Sequence, residues 1–170
     1  MADTILPFPA VPETPRDKVS GMLIRCAALL LLSWMAFAEP KSDPWKPAQV
    51  LHPAELVQLL QGEKPPVIFM VGPRLLYNGD HIRGALYAGP AGTPAGIELL
   101  KQQAGQVRKD AGIVLYCGCC PMEKCPNIRP AFMTLNDAGY TDVRILEVPT
   151  NLHTDWTAKG YPVEKGDISK

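Results

Sequence analysis

Four of the five cysteines of this chain lie within a stretch of nine residues, at Cys117, Cys119, Cys120 and Cys125. The apolar run GIVLY at residues 112–116 comes directly before them and predicts a buried β-strand. The run NIRPAFMTL at residues 127–135 follows them and predicts a helix. Backbone amides and the helix dipole at such a junction favour a thiolate over a thiol. The spacing therefore predicts either nucleophilic sulfur chemistry or binding of a soft metal ion.

Cys117 is the candidate nucleophile, because it follows the predicted strand without an intervening residue. We expect its pKa to be lowered at this position, and the thiolate is the reactive form. Arg129, near the start of the predicted helix, adds a positive charge and a forked donor that suits a thiosulfate-like anion. The alternative for Cys117 is a structural disulfide, in which the sulfur would have no chemical role.

The other three clustered cysteines leave several interpretations open. Cys119 or Cys120 could form a disulfide with Cys125, which would staple the loop or resolve a reaction intermediate and leave Cys117 free. All four sulfurs could instead be ligands of Cu or Zn, since both metals accept thiolates. The C-x-C-C-x₄-C spacing matches no common zinc motif of two C-x-x-C pairs, and no histidine is near. Inert thiols are the third interpretation.

The N-terminal part of the chain has the pattern of a secretory signal peptide. A 13-residue apolar run at 26–38 follows Arg25 and ends in AFA, a typical cleavage pattern, with a buried core helix as the alternative. Since about 20 apolar residues are needed to cross a bilayer, we expect no permanent membrane span after cleavage. We therefore predict a periplasmic or secreted protein, with an extension plus signal peptide at 1–38, a true start at Met22 and a linker at 39–47.

The rest of the chain, residues 48–167, predicts a single α/β domain with a central, mostly parallel sheet flanked by helices. Strand-like apolar runs alternate with amphipathic helical runs at the spacing of βαβ units. The 17 Lys and Arg residues balance the 17 Asp and Glu residues, so no basic field attracts nucleic acid. The predicted strands are 66–71, 86–88, 113–116 and 143–148, and the predicted helices are 52–60, 94–107, 130–137 and 151–159.

Four segments of this domain resemble signature segments of the rhodanese-like superfamily of sulfurtransferases. DHIRGA at 80–85 is similar to the family's G-H-I-P-G-A, and VLYC at 114–117 is similar to the strand that leads into the active cysteine. AGYTDV at 138–143 resembles the segment after the active-site helix, and DWTAKGYPV at 155–163 resembles the W-x-x-x-G-Y-P-V ending. The four segments occur in the family order, and the resemblance covers residues 48–165.

The resemblance implies a small α/β domain that moves sulfane sulfur through a cysteine persulfide held in a loop of backbone amides. It implies that Cys117 forms the persulfide and that Arg129 closes the loop and faces the substrate anion. It further implies a small sulfur-containing anion as donor, a thiophilic acceptor and no required cofactor. The loop residues that would bind the substrate are Gly118, Cys119, Cys120, Asn127 and Ile128.

The loop is longer than the family pattern, and the D-V-R of many relatives is replaced by MVG at 70–72. Arg129 lies twelve residues after Cys117, which also argues against a cysteine phosphatase of the related fold, whose tight loop needs a much closer arginine. The extended cysteine-rich loop leaves a second function open, a rhodanese-like module that binds a soft metal or acts in thiol/disulfide redox through residues 117–125. A third possible function is that of a purely structural interaction domain.

Overall fold

The computed structural model describes residues 42–166, and residues 1–41 and 167–170 lie outside that description. The described strands are β1 (Val50–Leu51), β2 (Val67–Met70), β3 (His81–Ile82), β4 (Leu86–Tyr87), β5 (Gly112–Tyr116), β6 (Asp142–Leu146) and β7 (Val163–Glu164). Five of them form one parallel sheet in the order β1-β6-β5-β2-β4. Apolar clusters cover both faces of this sheet, so the predicted α/β domain with a central parallel sheet is confirmed.

Five α-helices and three short 3₁₀ segments connect the described strands. The helix at Arg74–Asn78 was not predicted, and the helix predicted at 151–159 is divided into Leu152–Asp155 and a 3₁₀ turn because Trp156 leaves the helical conformation. The helices are α1 (Pro53–Leu60), α2 (Arg74–Asn78), α3 (Pro94–Ala104), α4 (Ile128–Asp137) and α5 (Leu152–Asp155), and the 3₁₀ segments are Pro47–Gln49, Met122–Lys124 and Thr157–Lys159.

Strand β5 is the central strand, hydrogen-bonded to β2 on one side and to β6 on the other. It is buried on both faces, as its unbroken apolar sequence predicts for a parallel sheet covered by helices. Ile113 and Leu115 pack into the cluster that contains the buried faces of α3 and α4. Val114 and Tyr116 pack into the opposite cluster, with α1. Side chains alternate along a strand, so the next residue, Cys117, falls on the α3 and α4 face.

A small antiparallel pair of strands, β3 and β7, joins two of the segments that carry the family resemblance. His81 in β3 is buried, with Nδ1 2.7 Å from the carbonyl oxygen of Tyr77 and Nε2 3.2 Å from Oε1 of Glu164 in β7. These contacts join the DHIRGA segment at 80–85 to the strand at the end of the segment 155–163. His81 therefore has a structural role here.

Trp45, which the sequence analysis placed in a linker, is only 7% exposed and packs edge-on against Phe132 of α4. Packing of the domain thus reaches back to the residues just before β1. The predicted signal peptide at 1–38 and the proposed start at Met22 lie outside the described residues. Within residues 42–166, no helix has both the length and the apolar character needed to span a bilayer.

Candidate thiol site

Cys117 lies directly after β5, at the carboxyl end of the central strand, and is 4% exposed. The chain turns sharply at the next residue, Gly118, which has φ +79°. A Cβ atom at residue 118 would lie 3.1 Å from Cβ of Leu152, so glycine suits both the turn and the close packing. The carbonyl oxygen of Gly118 accepts a hydrogen bond from the amide of Leu152 at 3.0 Å, which attaches the turn to α5.

Gly72 fills the position where many relatives carry the arginine of D-V-R. A Cβ atom there would lie 2.5 Å from the carbonyl oxygen of Cys117 and 3.1 Å from its Sγ. The backbone after β2 can therefore approach the thiol only because residue 72 has no side chain. The sequence shows the loss of the arginine but not this close contact.

The inserted loop folds back so that all four thiols meet. A 3₁₀ turn at Met122–Lys124 reverses the chain and returns Cys125 to the buried side of Cys117. The Sγ atoms of Cys117, Cys119 and Cys125 all lie within 4.8 Å of one another. Sγ of Cys119 is 3.2 Å from Sγ of Cys117 and 3.2 Å from Sγ of Cys120.

All four clustered cysteines are free thiols. The disulfide considered from Cys119 or Cys120 to Cys125 is not formed among the described residues, where Cys125 is a free thiol and Sγ of Cys119 lies 3.2 Å from Sγ of Cys120. In its place, non-bonded contacts join the sulfur of Cys117 to those of Cys119 and Cys125, and the sulfur of Cys119 to that of Cys120. The predicted loop residues Gly118, Cys120 and Ile128 also border the narrow space between the thiols.

Asn127, just before α4, is a polar side chain in the interior, 6% exposed. Its Nδ2 donates to Sγ of Cys117 at 3.3 Å, and its Oδ1 accepts from the amide of Gly92 at 2.8 Å. The asparagine therefore joins the thiol to the loop before α3. In the sequence, the only sign of a role for Gly92 is its place just before a predicted helix.

The thiol with the lowered pKa is Cys125, whereas the sequence predicted Cys117. Backbone amides of Asn127 and Ile128, at the start of α4, donate to Sγ of Cys125, and the Cys117 thiol donates to it as well. The Cys117 contact is the largest cause, and together these bonds lower the pKa of Cys125 to about 6. The Cys125 contact and then burial raise the pKa of Cys117, because a second thiolate beside the first is unfavourable. The amides at the start of α4 therefore donate to the last cysteine of the loop.

Cys119 and Cys120 differ from this buried pair in exposure. Cys119 is exposed and lines a cleft of about 390 Å³. Cys120 is partly buried, and desolvation, followed by its contact with Cys119, raises its pKa to about 12. The cleft also contains groups that the sequence analysis did not connect with the cysteines, namely Leu75, Leu76, Gly79, Asp80, Asn151, Leu152 and His153.

Arg129 points away from the sulfurs. Its Nη1 donates to the carbonyl oxygens of Glu123 at 3.1 Å and Met122 at 3.5 Å, and its Nη2 donates to Oδ1 of Asp43 at 2.5 Å. Among the hydrogen bonds of the described residues, none joins Arg129 to a thiol of the cluster. The guanidinium therefore fastens the inserted loop to the segment before β1. Its contact with a substrate anion stays a prediction from the family resemblance.

No protein-family model matches this sequence, and no curated protein matches it. Several solved structures are similar. The Alr3790 protein from Anabaena sp. is 26% identical, with a TM-score of 0.53 over 70% of this chain and 95% of that chain. A solution structure of the rhodanese-like domain of the same protein is also 26% identical, with a TM-score of 0.51 over 69% of this chain and 80% of that chain.

Two further structures share the fold. The BH2092 protein from Bacillus halodurans is 16% identical, with a TM-score of 0.54 and 86% of each chain covered. The anaerobic ergothioneine biosynthesis enzyme from Chlorobium limicola, solved with its natural substrate trimethyl histidine, is 24% identical with a TM-score of 0.54. That likeness covers 69% of this chain and 28% of the enzyme.

Proposed function

Because residues 42–166 form a rhodanese-like domain, we propose that this protein is a sulfurtransferase that carries sulfane sulfur as a persulfide on Cys117. The observation that carries the proposal is the position of Cys117, buried at the carboxyl end of the central strand and hydrogen-bonded by Asn127. Ligand sites of parallel α/β sheets lie at that end of the strands. The side-chain amide of Asn127 would stabilise the sulfur of Cys117 through this hydrogen bond when the sulfur carries charge.

The chemistry would proceed in two transfers. Cys117 gives its proton to the Cys125 thiolate, with which it shares a hydrogen bond, and the resulting Cys117 thiolate attacks the outer sulfur of the donor. The new bond joins Sγ of Cys117 to that sulfur, and the donor's own S–S bond breaks. The electron pair leaves with the remainder of the donor, sulfite in the case of thiosulfate. A thiophilic acceptor then attacks the outer sulfur of the persulfide and regenerates the Cys117 thiolate.

The test is uptake of sulfur by the reduced, metal-free full chain. Thiosulfate and, separately, cysteine persulfide are added, and intact-protein mass spectrometry follows a gain of one sulfur atom. We expect the gain in the natural chain and in Cys26→Ser, a matched control outside the cluster. No persulfide should form at residue 117 in Cys117→Ser. Failure of the natural chain to take up sulfur from either donor would refute the proposal.

A second candidate function, binding of a soft metal, is favoured by the mutual distances of the thiols. Three Sγ atoms within 4.8 Å of one another have the spacing of thiolates around one ion, and Cys120 adjoins them. We propose Cu(I) or Zn(II) as the ion, since thiolates select both. Anaerobic titration of the reduced chain should then give about one equivalent of bound metal, lost in Cys125→Ser and kept in Cys26→Ser. Metal binding without sulfur uptake would favour this function over the first.

Export remains a proposal that rests on the sequence of residues 1–38. The AFA pattern at its end supports cleavage after Ala38 and a periplasmic or secreted location. N-terminal sequencing of protein recovered from outside the cytoplasm tests it. A recovered chain that begins near residue 2 would refute it.

A further inference from the structure

The four thiols are not equally reachable from outside the molecule. Cys119 is exposed and forms part of the wall of the 390 Å³ cleft. Cys117 and Cys125, which is 3% exposed, instead border a separate small pocket of about 10 Å³, large enough for roughly one water molecule. Of the four thiols, Cys119 is the one that borders the cleft, so a sulfur donor in the cleft meets Cys119 first.

We propose that Cys119 is the entry thiol, which takes sulfane sulfur from a donor bound in the cleft and passes it inward to Cys117. This inference rests on the proposed function and adds a second catalytic thiol to it. The distance that carries it is the 3.2 Å between Sγ of Cys119 and Sγ of Cys117. A persulfide sulfur lies about 2 Å from the sulfur that holds it, so the transferred atom can contact both thiols without a large movement of the loop.

The two steps balance without an oxidant or a reductant. The Cys119 thiolate attacks the outer sulfur of an organic persulfide R–S–S⁻, the bond from Sγ of Cys119 to that sulfur forms, and R–S⁻ leaves with the electron pair. The Cys117 thiolate then attacks the same outer sulfur, and Cys119 leaves as the thiolate. Each step moves one neutral sulfur atom between two thiolates, and the protons released from the thiols are taken up by the departing thiolates.

The walls of the cleft indicate an organic persulfide as the donor. Leu75, which is 82% exposed, and Leu76 offer apolar surface in its wall. Asp80 is the carboxylate of the cleft, and no lysine or arginine is among its described lining residues. Apart from the imidazole of His153, a dianion such as thiosulfate would find no group there that can carry a positive charge, whereas an apolar carbon chain would find surface to cover.

The experiment traps the sulfur at its first position. Cys117→Ser and, in case serine disturbs the packing, Cys117→Ala are treated with cysteine persulfide, alkylated, and fragmented to locate the extra sulfur. We expect it on Cys119. In Cys119→Ser, sulfur uptake at Cys117 should be about tenfold slower than in the natural chain, because the advantage of a thiol held beside the donor is lost. Cys26→Ser should load at the natural rate.

The outcomes separate the two proposals. If the natural chain loads Cys117 and Cys119→Ser does so at the same rate, the entry role of Cys119 is refuted and the sulfurtransferase proposal stands. Extra sulfur on Cys120 or Cys125 and never on Cys119 in both residue 117 variants would also refute the entry role. If the natural chain takes up no sulfur from any donor, the proposed function itself fails.

Discussion

Asn127 and Cys117, ten residues apart in the chain, meet in the interior through a hydrogen bond from Nδ2 to Sγ of 3.3 Å. Oδ1 of the same side chain accepts a hydrogen bond from the backbone amide of Gly92. Because both ends are occupied, the side chain cannot rotate without losing a buried hydrogen bond. The position of the thiol is thus fixed by a loop from another part of the fold.

Asn127→Ala should destabilise the reduced protein by about 1–3 kcal/mol, since it removes the two hydrogen bonds of a buried side chain, to Sγ of Cys117 and from the amide of Gly92. Chemical unfolding in urea measures the change. Asn136→Ala, at an exposed position of α4, is the matched control and should stay within about 0.5 kcal/mol of the natural chain. An equal effect of the two substitutions would mean that the hydrogen bond to Gly92 contributes nothing.

Cys125 should titrate as a thiolate near neutral pH. In the metal-free, reduced chain we expect ultraviolet thiolate absorbance to rise with a midpoint of about pH 6, and this step should vanish in Cys125→Ser. The folded pKa is below the ordinary value of 9.0, so the associated stability is fully present above pH 9 and is lost as the pH falls through about 6. Urea unfolding at several pH values should show that loss in the natural chain. Cys26→Ser should keep both the titration step and the pH dependence.

Arg129→Ala should loosen the inserted loop. The guanidinium donates hydrogen bonds to two carbonyl oxygens of the loop and forms an ion pair with Asp43. Without these contacts, the 3₁₀ turn is no longer attached to the segment before β1. We expect cleavage by a lysine-specific protease after Lys124 to become severalfold faster. Arg108→Ala, which removes only an exposed pair with Asp110, is the control and should not change that rate. Unchanged cleavage in Arg129→Ala would show that the loop holds its shape without the arginine.

Gly72→Ala should disturb the thiol site from the neighbouring strand. The new methyl group would overlap the carbonyl oxygen of Cys117, and relief requires a backbone shift that we expect to cost about 1–3 kcal/mol. Gly62→Ala, where a Cβ meets the carbonyl oxygen of Leu59 at 3.3 Å, is the milder control. Thermal unfolding and the alkylation rate of Cys117 measure the two consequences. If Gly72→Ala matched the control in both, the contact with Cys117 would be unimportant.

The sequence predicted the framework because its signals are local. The apolar run before Cys117 specifies a strand buried on both faces, and the amphipathic run after Asn127 specifies a helix, so their junction follows directly. Helix α2 (Arg74–Asn78) was missed because Leu75 faces outward, which hides the amphipathic pattern on which such predictions depend.

The details of the site were not predictable because they depend on distant partners. Arg129 is directed by Asp43, 86 residues earlier, and a motif comparison cannot show that pairing. The return of Cys125 depends on a 3₁₀ turn inside the insertion, for which the family pattern has no counterpart. The lowered pKa was therefore expected at Cys117, whereas the contacts in the structure lower the pKa of Cys125.

The alternation of side chains along β5 has a consequence for how this site can change in evolution. Ile113, Leu115 and Cys117, each two residues apart, lie on the side of the sheet where Cys120 and Cys125 also pack. Loss or gain of one residue within β5 would place Cys117 on the opposite face of the sheet, toward α1. Loss or gain of two residues would keep it on its present face. Length variation in this strand should thus occur in pairs, while the insertion beyond Gly118 is free of that constraint.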